Sequence, residues 1–196
     1  MKRKLVKVLG LSYSQSQTGS YVLVLAENSG KGKLPVIIKP NEAQRIALEA
    51  EGIKSPRPLI HDLLKSMSDS YGISVKEVFI YSLAEGIFYA KMITEDRNQE
   101  VEVECSVGDA VILSYVYKCP IYVAMSVMNS AGVYMNDDGS LIDEIEEDEV
   151  EVEETKVVSI ENLEKALEDA VRNEEYEIAA QVRDRINELK EQQSQE

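Results

Sequence analysis

"LPVIIKPNEAQRIALEAEG" (residues 34–52) holds two periodicities back to back. Up to Ile38 the apolar residues run together as in a strand. From Pro40 they recur at Ala43, Ile46, Ala47 and Ala50, the i, i+3, i+4, i+7 spacing of one helix face. Pro40 suits the first turn of that helix and Gly52 its end. Glu42 and Glu49 flank the stripe on one side, with Arg45 near them. Working outward, "KLVKVLGLS" alternates, "SYVLVLAE" is an apolar run between turn-formers, and "NSGKGK" is a Gly-rich turn into the opening stretch. β-structure therefore precedes the helix.

Beyond Gly52, "SPRPLIHDLLKSM" predicts a second helix. Ile60, Leu63, Leu64 and Met67 form its core-facing stripe, with His61 at the stripe's edge and Asp62 turned toward solvent. "YGISVKEVFIYSLAEGIFYAKMIT" gives two strands around a Glu-Gly turn, and "EVEVEC" a third. "SVGDAVILSYVYK" reads as a helix opened by Ser106 and Asp109, three apart. "CPIYVA" is a short strand and "SVMNSAG" a last helical turn closed by glycine. Strands and helices alternate without regular βαβ repeats. That predicts an α+β fold with a mixed, largely antiparallel sheet packed against helices.

The formal charge of −15 is unevenly spread. Residues 137–154, "DDGSLIDEIEEDEVEVEE", carry eleven acids and no base, whereas residues 1–136 hold fifteen bases and fourteen acids. Three units follow: a near-neutral α+β domain over 1–136, an acidic linker over 137–156, and a helical segment over 157–193. A solvated linker is the ordinary reading of such a run; a tail that mimics nucleic acid and shields a basic site is the sharper one. The longest apolar runs are too short to span a bilayer, and the N-terminus lacks a secretory apolar core. A cytoplasmic protein with free thiols at Cys105 and Cys119 is expected.

The helical segment, "VSIENLEKALEDAVRNEEYEIAAQVRDRINELKEQQ", places Ile160, Leu163, Leu167 and Ala170 on one seam. Tyr176, Ala179, Ala180, Arg183 and Ile186 make a second. Ser159 caps the first helix, and Asn173 ends it or caps the next. Two short helices bury little surface alone. This hairpin needs a partner: a second copy, its own domain, or another protein.

Candidate chemistry centres on the lone histidine. By residue type His61 suits a general base or a metal ligand. Adjacent helix positions do not face each other, so "HD" is a poor chelating pair, and Asp62 also suits the positive end of its helix. Glu42 and Glu49 lie about 10 Å apart along their helix, too far to chelate one ion unaided. Asp109 stands at a helix start, and Arg57 can clamp a phosphate or a carboxylate. Several classes fall away: the chain has no G-x-x-x-x-G-K-[ST] or G-x-G-x-x-G motif and no nucleophile elbow. One histidine with two cysteines fourteen apart makes a zinc site a poor fit.

Residues 34–125 contain, in order, "KPNEAQRIALEA", "RPLIHDLL", "GDAVILSY" and "PIYV". This succession resembles the bifunctional nuclease (BFN) domain family, whose pattern runs P-x-E-A-x-x-I-A, R-P-x-T-H-D-L, P-S-D-A-I-A-L-A and P-I-Y-V. With the preceding strands the resemblance covers about residues 3–133. It implies nuclease activity on DNA and RNA and carries polar motif positions onto Glu42, Arg57, His61, Asp62 and Asp109. Ile60 replaces the usual threonine, and Val107-Gly108 the usual Pro-Ser. Glu177, Ala179, Ala180, Arg183, Asp184 and Ile186 match E-x-A-A-x-x-R-D-x-I, so the C-terminal hairpin is similar to the UVR motif of UvrB and UvrC. That resemblance implies protein–protein contact through Tyr176, Ala180, Arg183 and Ile186.

Two functions follow. One is a metal-assisted nuclease: Glu42, His61, Asp62 and Asp109 bind metal or activate water, with Glu42 and Asp109 as ligands to magnesium or manganese and Arg57 holding phosphate. The other is a non-catalytic ligand-binding or adaptor protein reporting through its hairpin. Either way the expected partners are nucleic acid and a protein at the hairpin, with homo-oligomers and no membrane. Convergence of the named carboxylates in one cleft discriminates the two.

Overall fold

In a computed structural model the described residues are 2–13, 20–28, 32–55, 57–96, 99–134, 160–172 and 176–193. The acidic linker, Ser159, Asn173 and part of the Gly-rich turn lie outside them. β1 (Arg3–Tyr13), β2 (Tyr21–Glu27) and β3 (Gly32–Ile38) form an antiparallel meander. α1 (Pro40–Ala50) and α2 (Ile60–Tyr71) follow, then the hairpin of β4 (Ser74–Ala84) and β5 (Ile87–Glu95), then β6 (Glu100–Cys105). The β4–β5 turn places Glu85 and Gly86 at φ 52° and 76°, the left-handed backbone that the Glu-Gly pair predicts. α3 (Val107–Tyr117), β7 (Ile121–Ala124), α4 (Met125–Ala131) and β8 (Val133–Tyr134) close this part.

All eight strands join one sheet in the order β6-β5-β4-β7-β1-β2-β3-β8. Every pairing is antiparallel except β4 with β7. The mixed α+β architecture is the expected one. Its core joins strand residues such as Leu23, Leu25, Val78, Ile80 and Val123 to Ile46 of α1, Val111 and Ile112 of α3, and Met128 of α4.

α1 and α3 carry the helical packing. Ala43, Ile46 and Ala47 are buried, as their spacing predicts. α2 departs from its predicted orientation. Ile60, Leu63 and Met67 are exposed, and of the expected stripe Leu64 alone packs against the core. The helix is turned so that His61, Leu64 and Ser68, at i, i+3 and i+7, face inward. The Ser68 hydroxyl hydrogen-bonds the Tyr117 hydroxyl of α3 at 2.8 Å. Hydrogen-bonding side chains, not the apolar stripe, therefore set how α2 docks.

The C-terminal hairpin consists of α5 (Ile160–Arg172) and α6 (Tyr176–Gln193). Leu163 and Ala170 are buried and Leu167 is partly so, as the first seam predicts. The second seam is shifted: Ile178, Ala179, Val182 and Ile186 are buried, while Tyr176, Ala180 and Arg183 are exposed. The hairpin packs on its own domain. Leu48 of α1 and Ile53 join its apolar cluster, and Arg185 Nε donates to the buried Glu51 carboxylate at 2.7 Å. No helix among the described residues is long and apolar enough to cross a membrane.

Candidate functional site

The N-termini of α1, α2 and α3 bring three of the sequence candidates together. Glu42 is the third residue of α1. Its Oε2 accepts the Lys39 N–H at 2.9 Å, capping the helix, and its Oε1 accepts from Ser106 Oγ at 3.2 Å. Ser106 caps α3 by accepting the Asp109 N–H at 3.0 Å and also lies 2.8 Å from Asp109 Oδ2. Asp109 Oδ1 in turn meets His61 Nε2 at 3.1 Å. The chain Glu42–Ser106–Asp109–His61 thus links residues from three helices.

Gly108 makes the approach possible. A Cβ at that position would collide with the Glu42 carboxyl group. Glycine weakens a helix by about 1 kcal/mol relative to alanine, and here it leaves room for a buried carboxylate over the first turn of α3. The positive end of that helix favours negative charge there.

Ser106 has one hydroxyl proton and two carboxylate neighbours. Only one of those contacts can be an O–H donation at a time. The hydroxyl proton is therefore shared between Glu42 Oε1 and Asp109 Oδ2. Magnesium ordinarily binds through one or two carboxylates and keeps its waters, so the donor set of Glu42 and Asp109 fits a hard divalent ion. Among the described residues no group of three or more His, Cys, Asp or Glu side chains is arranged around a metal position.

Asp62 and Arg57 stand apart from this chain. Asp62 Oδ2 accepts the Leu59 N–H at 2.9 Å, and both its oxygens take Arg45 Nη2, at 3.0 and 2.9 Å. Arg45, itself buried, also pairs with Glu49. Burial raises the Glu49 carboxyl above the ordinary carboxylate range; Arg45 opposes that shift and Asp62 adds to it. Arg45 Nε and Nη1 are buried without a hydrogen-bond partner among the described residues. Arg57 is exposed and makes no ion pair among them. Burial, reinforced by the Asp109 charge, pushes the Cys105 thiol up to about 11. A thiolate nucleophile beside Asp109 is therefore disfavoured near neutral pH.

Sequence reasoning missed the bridging role of Ser106, the clearance at Gly108, and the pairing of Arg45 with Asp62. Glycine inside a helix start was the available signal for the second. The first needed a contact between residues 64 apart.

The bifunctional nuclease domain family matches residues 23–136, more than half of the chain. The chain belongs to that family. Its BFN domain is followed by a match to the UvrB/UvrC motif over residues 158–192. Two Mycobacterium tuberculosis proteins, Uncharacterized protein MT1877 and Uncharacterized protein Rv1829, are each 40% identical over 148 residues, which is 74% of this chain and 88% of theirs. Bifunctional nuclease 1 of Oryza sativa subsp. indica is 22% identical over 115 residues, 57% of this chain and 35% of the rice protein. The matched BFN region contains the whole Glu42–Ser106–Asp109–His61 chain.

Proposed function

We propose that this BFN protein is a metal-assisted nuclease that hydrolyses phosphodiester bonds in DNA or RNA. The observation that carries the proposal is the convergence of Glu42 and Asp109 on Ser106 beside the lone histidine. Glu42 and Asp109 would hold magnesium or manganese. Bound there, the ion supplies Lewis-acid stabilisation of phosphate charge and lowers the pKa of coordinated water. Asp109 Oδ1 orients the imidazole. With Nε2–H donating to Asp109, Nδ1 keeps its lone pair and takes the proton of the attacking water. Arg57, exposed on the segment entering α2, offers a guanidinium to a backbone phosphate. Asp62, by contrast, has a positioning role: it caps α2 and fixes Arg45, which sets the helix that presents His61.

The hairpin supplies the partner contact in this reading. Its exposed stripe of Tyr176, Ala180 and Arg183 faces outward, while Ile186 is spent on its own packing. We place the protein in the cytoplasm, the compartment of nucleic-acid turnover that suits its free thiols.

The test is cleavage of labelled single- and double-stranded DNA and RNA by the full chain with magnesium, manganese or EDTA, beside His61→Ala and Asp109→Ala. Metal-dependent cleavage should fall at least 100-fold in both variants, the usual weight of a general base. Cleavage that survives both variants, or none under any condition, removes the proposal. The second outcome favours the adaptor reading, which is supported by the protein partner that each Glu42 and Asp109 oxygen already has.

A further inference from the structure

α1 ends with the wrong charge for its own dipole. Glu49 lies in its last turn, Glu51 is its C-cap, and that turn holds no base. Carboxylates are unfavourable at the negative end of a helix. The Glu51 side chain is moreover only 3% exposed, where an unpaired charge is costly. The missing cation comes from far along the chain: Arg185 Nε of α6 donates to Glu51 Oε2 at 2.7 Å. The turn beyond is finished in the same place. The Gly52 N–H donates to the Glu49 carbonyl at 3.1 Å and the Ile53 N–H to the Leu48 carbonyl at 2.9 Å, with Gly52 at φ 68°. Such an end brings the side chains of Leu48 and Ile53 together, and both belong to the apolar cluster of the hairpin. The hairpin thus completes the C-terminus of α1.

The adjoining turn of α1 holds α2. Arg45 pairs with Glu49 at i, i+4 and gives Nη2 to both oxygens of Asp62. Asp62 caps α2 through the Leu59 N–H, one residue beyond His61. A continuous set of contacts therefore runs from the hairpin to the helix of the lone histidine.

We infer that Arg185 is a positioning residue for His61: it fixes the end of α1, and Glu49, Arg45 and Asp62 pass that constraint to the first turn of α2. The part of the chain offered to a protein partner is thereby tied to the candidate site. The inference concerns how the His61 helix is held, and it stands or falls separately from phosphodiester cleavage.

Two signals read it in the full chain. His61 is the only histidine, so its imidazole Cε1–H signal in an NMR spectrum is assigned by residue type alone. The Leu63 N–H, bonded to the Leu59 carbonyl at 2.9 Å, closes the first turn of α2, and its hydrogen exchange reports on that turn. Arg185→Gln should displace the His61 signal and speed Leu63 exchange at least tenfold, while Leu23 and Val78 in the sheet exchange as in the wild type. Arg185→Glu combined with Glu51→Arg restores the pair with its signs exchanged and should return both signals toward the wild type. Glu188→Gln removes the other carboxylate that Arg185 meets, inside the hairpin, and should move neither. A His61 signal and a Leu63 rate that Arg185→Gln leaves in place overturn the inference. So do sheet amides that speed up in step with Leu63, a charge exchange that restores nothing, or a Glu188→Gln effect equal to that of Arg185→Gln.

Discussion

α1 and α2 carry the same apolar spacing and meet opposite fates. In α1 the stripe of Ala43, Ile46 and Ala47 lies on the core, and Leu48 on another face is covered by the hairpin. In α2 the stripe points outward, and a histidine, a leucine and a serine make the inward contact. The difference follows from connection and layer. α1 leaves β3 after the single residue Lys39, so it must lie along the sheet and bury whatever is apolar. α2 follows a nine-residue connection from Glu51 to Leu59 and packs chiefly on α3, where two polar anchors decide its rotation. Periodicity identifies an apolar face; it does not say which neighbour, if any, will cover it.

The largest break in the comparison comes from truncating one leucine-sized group on each helix. Ile46→Ala removes a fully buried side chain and should cost about 2–5 kcal/mol, read from the urea midpoint of a two-state unfolding curve. Leu63→Ala on α2 should stay within about 0.5 kcal/mol. Equal losses would mean that α2 buries its stripe after all.

Gly108→Ala sharpens the contrast at the place where α1 touches α3. Alanine is the better helix former, so an open site would gain stability of about 0.4–1 kcal/mol. With the Glu42 carboxyl in the way, a loss of about 1–3 kcal/mol is expected instead. A gain would show that Glu42 does not sit over that turn.

The smallest effect concerns Glu49, where the two helices meet through Arg45. Its folded pKa is raised above the ordinary 4.5, chiefly by burial. A raised carboxyl holds its proton more tightly in the folded chain, so its contribution to stability is full below 4.5 and is lost as pH rises through the folded value. Unfolding curves collected upward from pH 4.5 should therefore decline less steeply for Glu49→Gln than for the wild type. Identical slopes would place the Glu49 carboxyl in ordinary solvent.

Much of the architecture was legible because local chemistry and tertiary placement agree. The Glu85-Gly86 turn, the Pro40 and Gly52 limits of α1 and the Ser106 cap all form as their residues predict. The parallel β4–β7 pairing was not legible, since it joins Val78 to Ile121 across two strands and a helix. Nor was the docking of the hairpin, because Leu48 and Glu51 look like an ordinary helix flank until α6 supplies Ile186 and Arg185. Within the site, residue type and motif order pointed to Glu42, His61 and Asp109. Asp62 was singled out with them, yet it sits with Arg45, because adjacent helical residues diverge by about 100°. Ser106 read as a cap and is one; its reach to Glu42 has no local signature.

The register of β1 bears on how this chain survives its own synthesis. One edge of β1 is covered early by β2, but the other pairs with β7, joining Val6 to Ile121. At about 5–20 residues per second on the ribosome, that second edge stays open for roughly 6–23 seconds. An uncovered strand edge is a template for pairing with a neighbouring chain, and charged side chains, lysine above all, blunt it. Arg3, Lys4 and Lys7 lie along β1, and Arg3 and Lys4 fall within the segment that β7 later covers. The basic start of the sequence thus guards an unfinished sheet until its closing strand emerges.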